Sequence, residues 1–198
     1  MSQKVKVGYM GVPFSNTWEK AREFVEQLGW DAELVDLMSA KETVEALENG
    51  EVDYGVLAYT NNLAGTVQET AKAISGKVFE VVAKGGLQVH HCVFAKSADV
   101  EVDAVSSHIH ALKQCTNSLR RLYPDAKQLE SRDTAYSAQL LAEGKLSDTT
   151  AVLCRRPAGE HWGLVMLHEN IEDRSDNVTQ FVLIRKPRES PVIPDTEI

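Results

Sequence analysis

With 198 residues, 43% of them apolar and 25% charged, the chain has an ordinary globular composition and enough length to bury a core. A net charge of −8 and a pI near 5.3 argue against non-specific binding to nucleic acid or an anionic membrane, but not against a small anionic ligand held by local positive groups. No stretch approaches the ~18 apolar residues of a membrane span; the N-terminus has no signal-peptide pattern, and the cysteines Cys92, Cys115 and Cys154 form no CxxC pair, so a cytoplasmic protein with reduced thiols is expected.

KVKVGYMG, ending at Gly11, reads as a first strand. TWEKAREFVEQLG follows with helical spacing: Trp18, Ala21, Phe24, Val25 and Leu28 share a face, and Gly29 suits the position just past the helix end. DAELVDL is a second strand. SAKETVEALENG is a helix opened by a Ser39–Glu42 capping box and closed at Gly50. YGVLA is a short apolar strand, and TVQETAKAISG another capped helix ending at Gly76. A second set then begins. LQVHHCVFA reads as one strand, ALKQCTNSLRRLY as a helix ended by Pro124, AKQLES as a strand, TAYSAQLLAEG as a helix and TTAVLC as a strand. GLVMLHENI and TQFVLIRK are the last strands. The Pro-rich tail PRESPVIPDTEI has no periodicity and is expected to be flexible. Strand–helix alternation implies parallel sheets with helices on their faces. The expected division is one lobe from residues 1–84 plus 170–187, a second from 85–169, and a tail over 188–198.

Open α/β sheets bind ligands at the carboxyl ends of their strands. That singles out Ser15, Asn16 and Thr17 after the first strand, and Thr60, Asn61 and Asn62 after YGVLA. In the second set it singles out Ser107 with His108, Asp133 with Thr134, and Arg155 with Arg156. Short polar residues before a helix are N-caps far more often than ligands. Capping and binding are compatible, however, because a helix start presents free N–H groups and a positive dipole end to a carboxylate. The arginines of CRRPAG read first as surface charge, with carboxylate recognition as the alternative. The histidines suggest no metal site: His90 and His91 fall within a strand and face opposite sides, His108 and His110 point apart on a helix, and no HxxxH or HExxH occurs. Cys115 falls in a helical apolar pattern and reads as core. There is no GxSxG, Walker A or GxGxxG motif. Composition and spacing lead to a soluble, two-lobed α/β protein with a polar cleft, and stop there.

Several motifs in order resemble the catalytic domain of prephenate dehydratase, over nearly the whole chain from Val5 to Arg185. SHIHALKQC is close to that family's Ser-His-Pro-Gln-Ala-Leu-x-Gln-Cys, and LQVHHCV resembles its Leu-Pro-Val-x-His-x-Leu, with His91 at the matching His. DYGVLAYTNNLAGTV is similar to its Asp-Tyr-Gly-Val-x-Pro-Ile-Glu-Asn-Ser-x-x-Gly-x-Val, DTAYSA to its Ser/Asp-Thr-Ala-x-Ala-Ala, and NIEDRSDNVTQF to its Asn-Ile-x-Asp-x-x-x-Asn-x-Thr-Arg-Phe. The resemblance implies a fold of two α/β lobes like those of type II periplasmic binding proteins, with the active site in the interlobe cleft. It also implies a homodimer and a reaction that converts prephenate to phenylpyruvate without metal or organic cofactor. Thr179 would be the catalytic hydroxyl that assists departure of the ring hydroxyl. Ser15, Asn16, Thr17, Asn61, Asn62, Ser107, His108, Asp133, Thr134, Ala135, Gln180, Phe181 and Arg155 would bind the anionic carboxylate substrate.

Departures from the family pattern cluster at these motifs. Its Thr-Arg-Phe is Thr179-Gln180-Phe181, and its Glu-Asn-Ser is Thr60-Asn61-Asn62. Its Gly-Pro-x-Gly-Thr-Phe-Ser loop is GVPFSNT, which loses the proline and second glycine and puts Asn16 where a phenylalanine binds the ring. Losing the arginine removes a carboxylate contact, for which Arg155 or Arg156 is a candidate replacement. No regulatory ACT domain is expected. Three readings stay open: a stand-alone prephenate dehydratase; a decarboxylase or isomerase acting on prephenate or a related cyclohexadienyl acid; and a non-catalytic carboxylate-binding protein.

Overall fold

A computed structural model describes residues 4–187. The tail expected over 188–198 lies outside the described residues. The first lobe runs through β1 (Val5–Met10), α1 (Asn16–Gln27), β2 (Ala32–Leu37), α2 (Ala40–Asn49), β3 (Tyr54–Asn61), β4 (Gly65–Thr66), α3 (Gln68–Ile74) and β5 (Glu80–Gln88). The second contains β6 (Cys92–Ala95), β7 (Ala104–His108), α4 (Ile109–Gln114), α5 (Thr116–Leu122), β8 (Lys127–Ser131), α6 (Thr134–Ala142), β9 (Thr150–Cys154), α7 (Arg156–His161) and β10 (Val165–His168). The chain then returns to the first lobe as β11 (Val178–Arg185). No helix among the described residues is long and apolar enough to cross a membrane.

Both sheets are mixed, which corrects the expectation of parallel sheets. The first has the order β2-β1-β3-β11-β5, with β4 added to β3; β1, β2 and β3 are parallel and β11 runs antiparallel to both neighbours. The second has the order β10-β6-β9-β7-β8, parallel only across β9, β7 and β8. β11 shows why the first lobe holds together. Its alternating side chains serve both faces of the sheet. Phe181 and Leu183 pack with Val7, Tyr9 and Val56 under Ala21 and Phe24 of α1. Val182 and Ile184 pack under Val44 and Leu47 of α2. Each such side chain, fully buried, contributes about 1.5–3 kcal/mol. In the second lobe, Phe94, Val152 and Cys154 meet Ala138 and Leu141 of α6, while Val105 and Leu153 on the other face meet Leu112, Cys115 and Leu119.

Helix ends follow the sequence in part. The Ser39 hydroxyl accepts from the Glu42 N–H at 3.1 Å, but the Glu42 carboxylate accepts from Met38 N–H (3.1 Å), so the capping box reaches one residue further back than expected. Gly50 closes α2 with φ +74°. Several elements differ from the expectation. YGVLA extends to Asn61 and pairs with β4, so Thr60 and Asn61 end a strand, and α3 begins at Gln68 after Val67, which gives it no side-chain cap. LQVHHCVFA is not one strand: β5 and β6 are separated by 89–91, where the chain changes lobe. The expected lobe boundary at 84/85 falls inside β5, which pairs along its length with β11. The single helix expected over ALKQCTNSLRRLY breaks into α4 and α5 at Cys115.

The lobes are joined by two crossing segments that bind each other. Val89 N–H donates to Asn177 O (2.8 Å), and Ile171 N–H donates to His91 O (2.9 Å). Glu172 clamps the pair: one carboxylate oxygen accepts from His91 N–H (3.0 Å) and the other meets His90 Nδ1 at 2.6 Å. Burial opposes its charge, but these hydrogen bonds outweigh that and hold the Glu172 carboxyl below the usual range. Asp173 fixes the return segment to the second lobe by accepting from Asn117 and Ser118 N–H at 2.9 and 3.0 Å, which caps α5.

Candidate active site in the interlobe cleft

A cleft of about 510 Å³ opens between the lobes, within the size range of small-molecule sites. On one side stands the start of α1, where Ser15 Oγ caps the helix by accepting from Trp18 N–H (3.2 Å) and Asn16 and Thr17 face the cleft. On the other side Asp133 caps α6, accepting from Ala135 N–H at 2.7 Å and Tyr136 N–H at 3.3 Å. Burial pushes the Asp133 carboxyl up to about 6 against those hydrogen bonds. The lobes approach each other at Gly11, whose φ is +107°. A Cβ there would lie 3.0 Å from Ser15 Oγ and 3.3 Å from Asp133 Oδ2. Glycine is required for both backbone and space.

His108 ends β7 and caps α4, its Nδ1 accepting from His110 N–H at 3.3 Å. Because His108 is a cap with extended backbone rather than a helical residue, both rings line the cleft with centroids 5.2 Å apart. This replaces the expectation that they point apart. Burial, then the neighbouring His110, lowers the His108 pKa.

The floor is built from β3 and β11. Thr179 faces the cleft beside Asn61, its partner in register, while Phe181 borders the cleft floor from the buried core under α1. The Asn61 amide has its orientation fixed, because Oδ1 accepts from the backbone N–H groups of Leu63 and Ala64, both at 2.9 Å. Its Nδ2 must therefore donate, to Thr179 Oγ1 at 3.0 Å and to Asn177 Oδ1 at 2.8 Å. Since Thr179 Oγ1 accepts from Asn61, its own proton is available to another partner, and it donates to none of the described residues. His91, the motif histidine, lines the cleft yet is buried, and burial lowers its pKa.

Not every expected residue belongs to the cleft wall. Ser107 is buried and donates to Leu153 O (2.6 Å), tying β7 to β9. Ala135 lies in the second lobe's core. Asn62 accepts from Val178 N–H at 2.7 Å and donates to Asp176 O, fastening the return segment. Arg155 sits at the end of β9, away from the cleft lining, with Nη1 3.8 Å from Glu19 of α1 and without a hydrogen bond. Arg156 pairs on the surface with Glu169 and Glu160. Gln180 alternates away from Thr179 and Phe181. A Cβ on Gly86 would come within 2.9 Å of its Nε2, which places it on the opposite sheet face. His90 and His91 do diverge, but at a lobe crossing rather than within a strand.

Sequence reasoning missed other lining residues: Gln114, Arg132, Glu69 and His110. Gln114 had a signal, since it occupies a matched position of the SHIHALKQC motif. Arg132 directly precedes the capping Asp133. Glu69 had none, because its carboxylate reaches back to Ala40 N–H at 2.8 Å across 29 residues. Among the described residues no group of His, Cys, Asp or Glu is arranged to hold a metal ion.

The first loop carries an unusual backbone. Phe14 stands where the family motif has its second glycine, and its φ is +69°. Such a conformation costs a bulky residue about 1–3 kcal/mol. The ring compensates by stacking on His161 of α7, centroids 4.0 Å apart at 26°, and by packing against Trp18 at 4.7 Å. A first-lobe loop is thereby fixed to the second lobe.

Residues 7–189 match the family model for prephenate dehydratase. The chain is 30% identical over 196 residues to "Arogenate dehydratase 5, chloroplastic" of Arabidopsis thaliana, a match covering 98% of this chain and 44% of that one. It is 30% identical over 170 residues to the prephenate dehydratase of Methanocaldococcus jannaschii, covering 85% of this chain and 60% of that one. The fold superposes on the crystal structure of prephenate dehydratase from Arthrobacter aurescens in complex with L-Phe, with a TM-score of 0.79 and 26% identity, covering 94% and 61% of the respective chains. The chain thus spans about half the length of the curated plant relatives it matches. A family match over nearly all the described residues, on a two-lobed fold with the motif residues gathered at the cleft, means that the chain belongs to the prephenate dehydratase family.

Proposed function

We propose that the protein is a lyase that converts prephenate to phenylpyruvate. The ring carboxylate leaves as carbon dioxide and its bonding electrons enter the ring. The ring hydroxyl departs as hydroxide, takes up a proton to become water, and the ring becomes aromatic. The observation that carries this reading is the Asn61–Thr179 hydrogen bond (3.0 Å), which leaves the Thr179 proton free to donate toward the cleft. A donor to the departing oxygen strengthens as negative charge builds there, and such a contact is worth roughly 10²–10³-fold in rate. An uncharged hydroxyl does this without trapping the dianionic substrate in its ground state. The start of α1, where Ser15 caps only Trp18 N–H, supplies partial positive charge for a carboxylate, and Arg132 adds a full charge. His91 is not the acid in this scheme, since burial lowers its pKa and keeps the ring neutral.

A second reading takes arogenate, named for several relatives, as the substrate. It is favoured by the plant relatives named arogenate dehydratases, which are 30% identical over 96–98% of this chain. The compartment and assembly expected from the sequence, a cytoplasmic homodimer, belong to the same proposal.

The test is incubation with prephenate and, separately, with arogenate, following phenylpyruvate by its absorbance in alkali and phenylalanine by chromatography. Turnover that falls at least 100-fold in Thr179→Val supports the proposal. Loss of prephenate without phenylpyruvate, or no loss of either substrate, overturns it in favour of another cyclohexadienyl chemistry or a binding protein.

A further inference from the structure

The hydrogen bond that orients Thr179 is one end of a longer chain. Asn177 is 1% exposed and does not line the cleft. Its Oδ1 is committed as the acceptor from Asn61 Nδ2, so its own Nδ2 must donate, and it does so to Gln114 Oε1 at 3.0 Å. An amide oxygen only accepts. The ring nitrogen that meets the same Gln114 Oε1 at 2.8 Å, Nε2 of His91, must therefore carry the proton. This leaves His91 Nδ1 bare, and it is buried without any partner. Every donor and acceptor from the Leu63–Ala64 backbone to the imidazole is then assigned by one starting fact, the two backbone N–H groups on Asn61 Oδ1.

The chain also joins the two lobes and the segments that cross between them. Asn61 and Thr179 belong to the first sheet, Gln114 to α4 of the second lobe, and His91 and Asn177 to the two crossing segments. The amide of Asn61 has a rival acceptor in Val178 O, 3.3 Å away. Without Asn177 Oδ1 to hold it, Nδ2 is free to turn from Thr179 toward that carbonyl, and the threonine hydroxyl loses its fixed sense.

We propose that His91, Gln114 and Asn177 are positioning residues for Thr179, acting across both lobes through Asn61 to hold the hydroxyl as an acceptor within the protein and a donor to the cleft. The inference rests on the reading of Thr179 as the group that faces the departing hydroxyl. Its polarity can nevertheless be tested without substrate.

In the intact protein, ¹⁵N NMR of the histidine side chains at pH 7.5 should find His91 neutral, with Nε2 protonated and Nδ1 bare. In Asn177→Asp the acceptor-only carboxylate forces the Gln114 amide to flip, and His91 should change to the Nδ1–H tautomer. Finding Nδ1–H or imidazolium in the parent protein, or an unchanged tautomer in folded Asn177→Asp, overturns the proposal whatever the substrate proves to be. With a substrate in hand, Asn177→Leu, which keeps the branched heavy-atom shape, should lower kcat roughly tenfold to a hundredfold with KM within about threefold. An unchanged kcat, or a loss carried by KM alone, overturns it. Where Asn177→Leu does not fold, the parent tautomer decides the question.

Discussion

Gln180 lies directly across from Thr60 in the antiparallel register of β3 and β11. The family motifs have arginine and glutamate at these two positions, so both departures fall on one cross-strand pair that together carries no net charge. The pair sits on the sheet face away from Thr179 and Phe181, and neither member lines the cleft. In this chain an arginine at position 180 would therefore face a glutamate at position 60 across the strands, away from the cleft lining. Gln180→Arg, Thr60→Glu and the double variant should each keep kcat/KM within about threefold of the parent. Denaturant unfolding should show coupling of roughly 0.2–1 kcal/mol between the two substitutions. A tenfold gain in kcat/KM for Gln180→Arg alone would return the residue to the site.

This relationship also marks what was legible in the sequence. Asn61, Gln114, Asn177, Thr179 and His91 each stand in a motif that reads clearly, and they meet as one hydrogen-bonded chain although 116 residues separate Asn61 from Asn177. The motifs could be read but their junction could not, because it is made by two crossing segments whose pairing no local pattern encodes. The break at 89–91 was hidden because LQVHHCVFA looks like an uninterrupted strand. α7 was hidden for another reason: six residues that include Pro157 and Gly159 show no helical period. The orientation of Gln180 depended on which face of β11 meets α1, which only packing decides.

Phe14 pairs a strained backbone with an aromatic stack, and the two contributions separate by substitution. Phe14→Ala removes the ring contacts with His161 and Trp18 but keeps the penalty of a side chain at φ +69°. Phe14→Gly removes both. Both variants should be less stable than the parent by thermal unfolding, with the glycine variant about 1 kcal/mol more stable than the alanine variant. The reverse order would show that the backbone at Phe14 carries no strain.

Gly11 should tolerate no side chain. Gly11→Ala combines an unfavourable φ of +107° with contacts at 3.0 Å from Ser15 Oγ and 3.3 Å from Asp133 Oδ2. The lobes then cannot approach at this point, and the α1 cap is displaced. A loss of about 1–3 kcal/mol in stability is expected, together with a KM increase of at least tenfold, measured by urea unfolding and steady-state kinetics. An unchanged KM would mean that the lobes do not need this approach to hold substrate.

Asp133 should make stability depend on pH in a direction unusual for a carboxylate. Its folded pKa is raised by burial from 3.8 to about 6, so folding favours the protonated form. The associated stability is fully present below about pH 4, is lost as pH rises through about 6, and stays lost above it. A shift of this size corresponds to about 2–3 kcal/mol at neutral pH. An asparagine in its place would cap α6 equally well, since amide and carboxylate oxygens accept from Ala135 and Tyr136 N–H alike. Asp133→Asn should accordingly be more stable than the parent at pH 7.5, with the difference between the two shrinking as pH falls from 6 to 4. Calorimetric unfolding across that range provides the measurement. A variant less stable than the parent at pH 7.5 would mean that the cleft stabilises the Asp133 charge instead of opposing it.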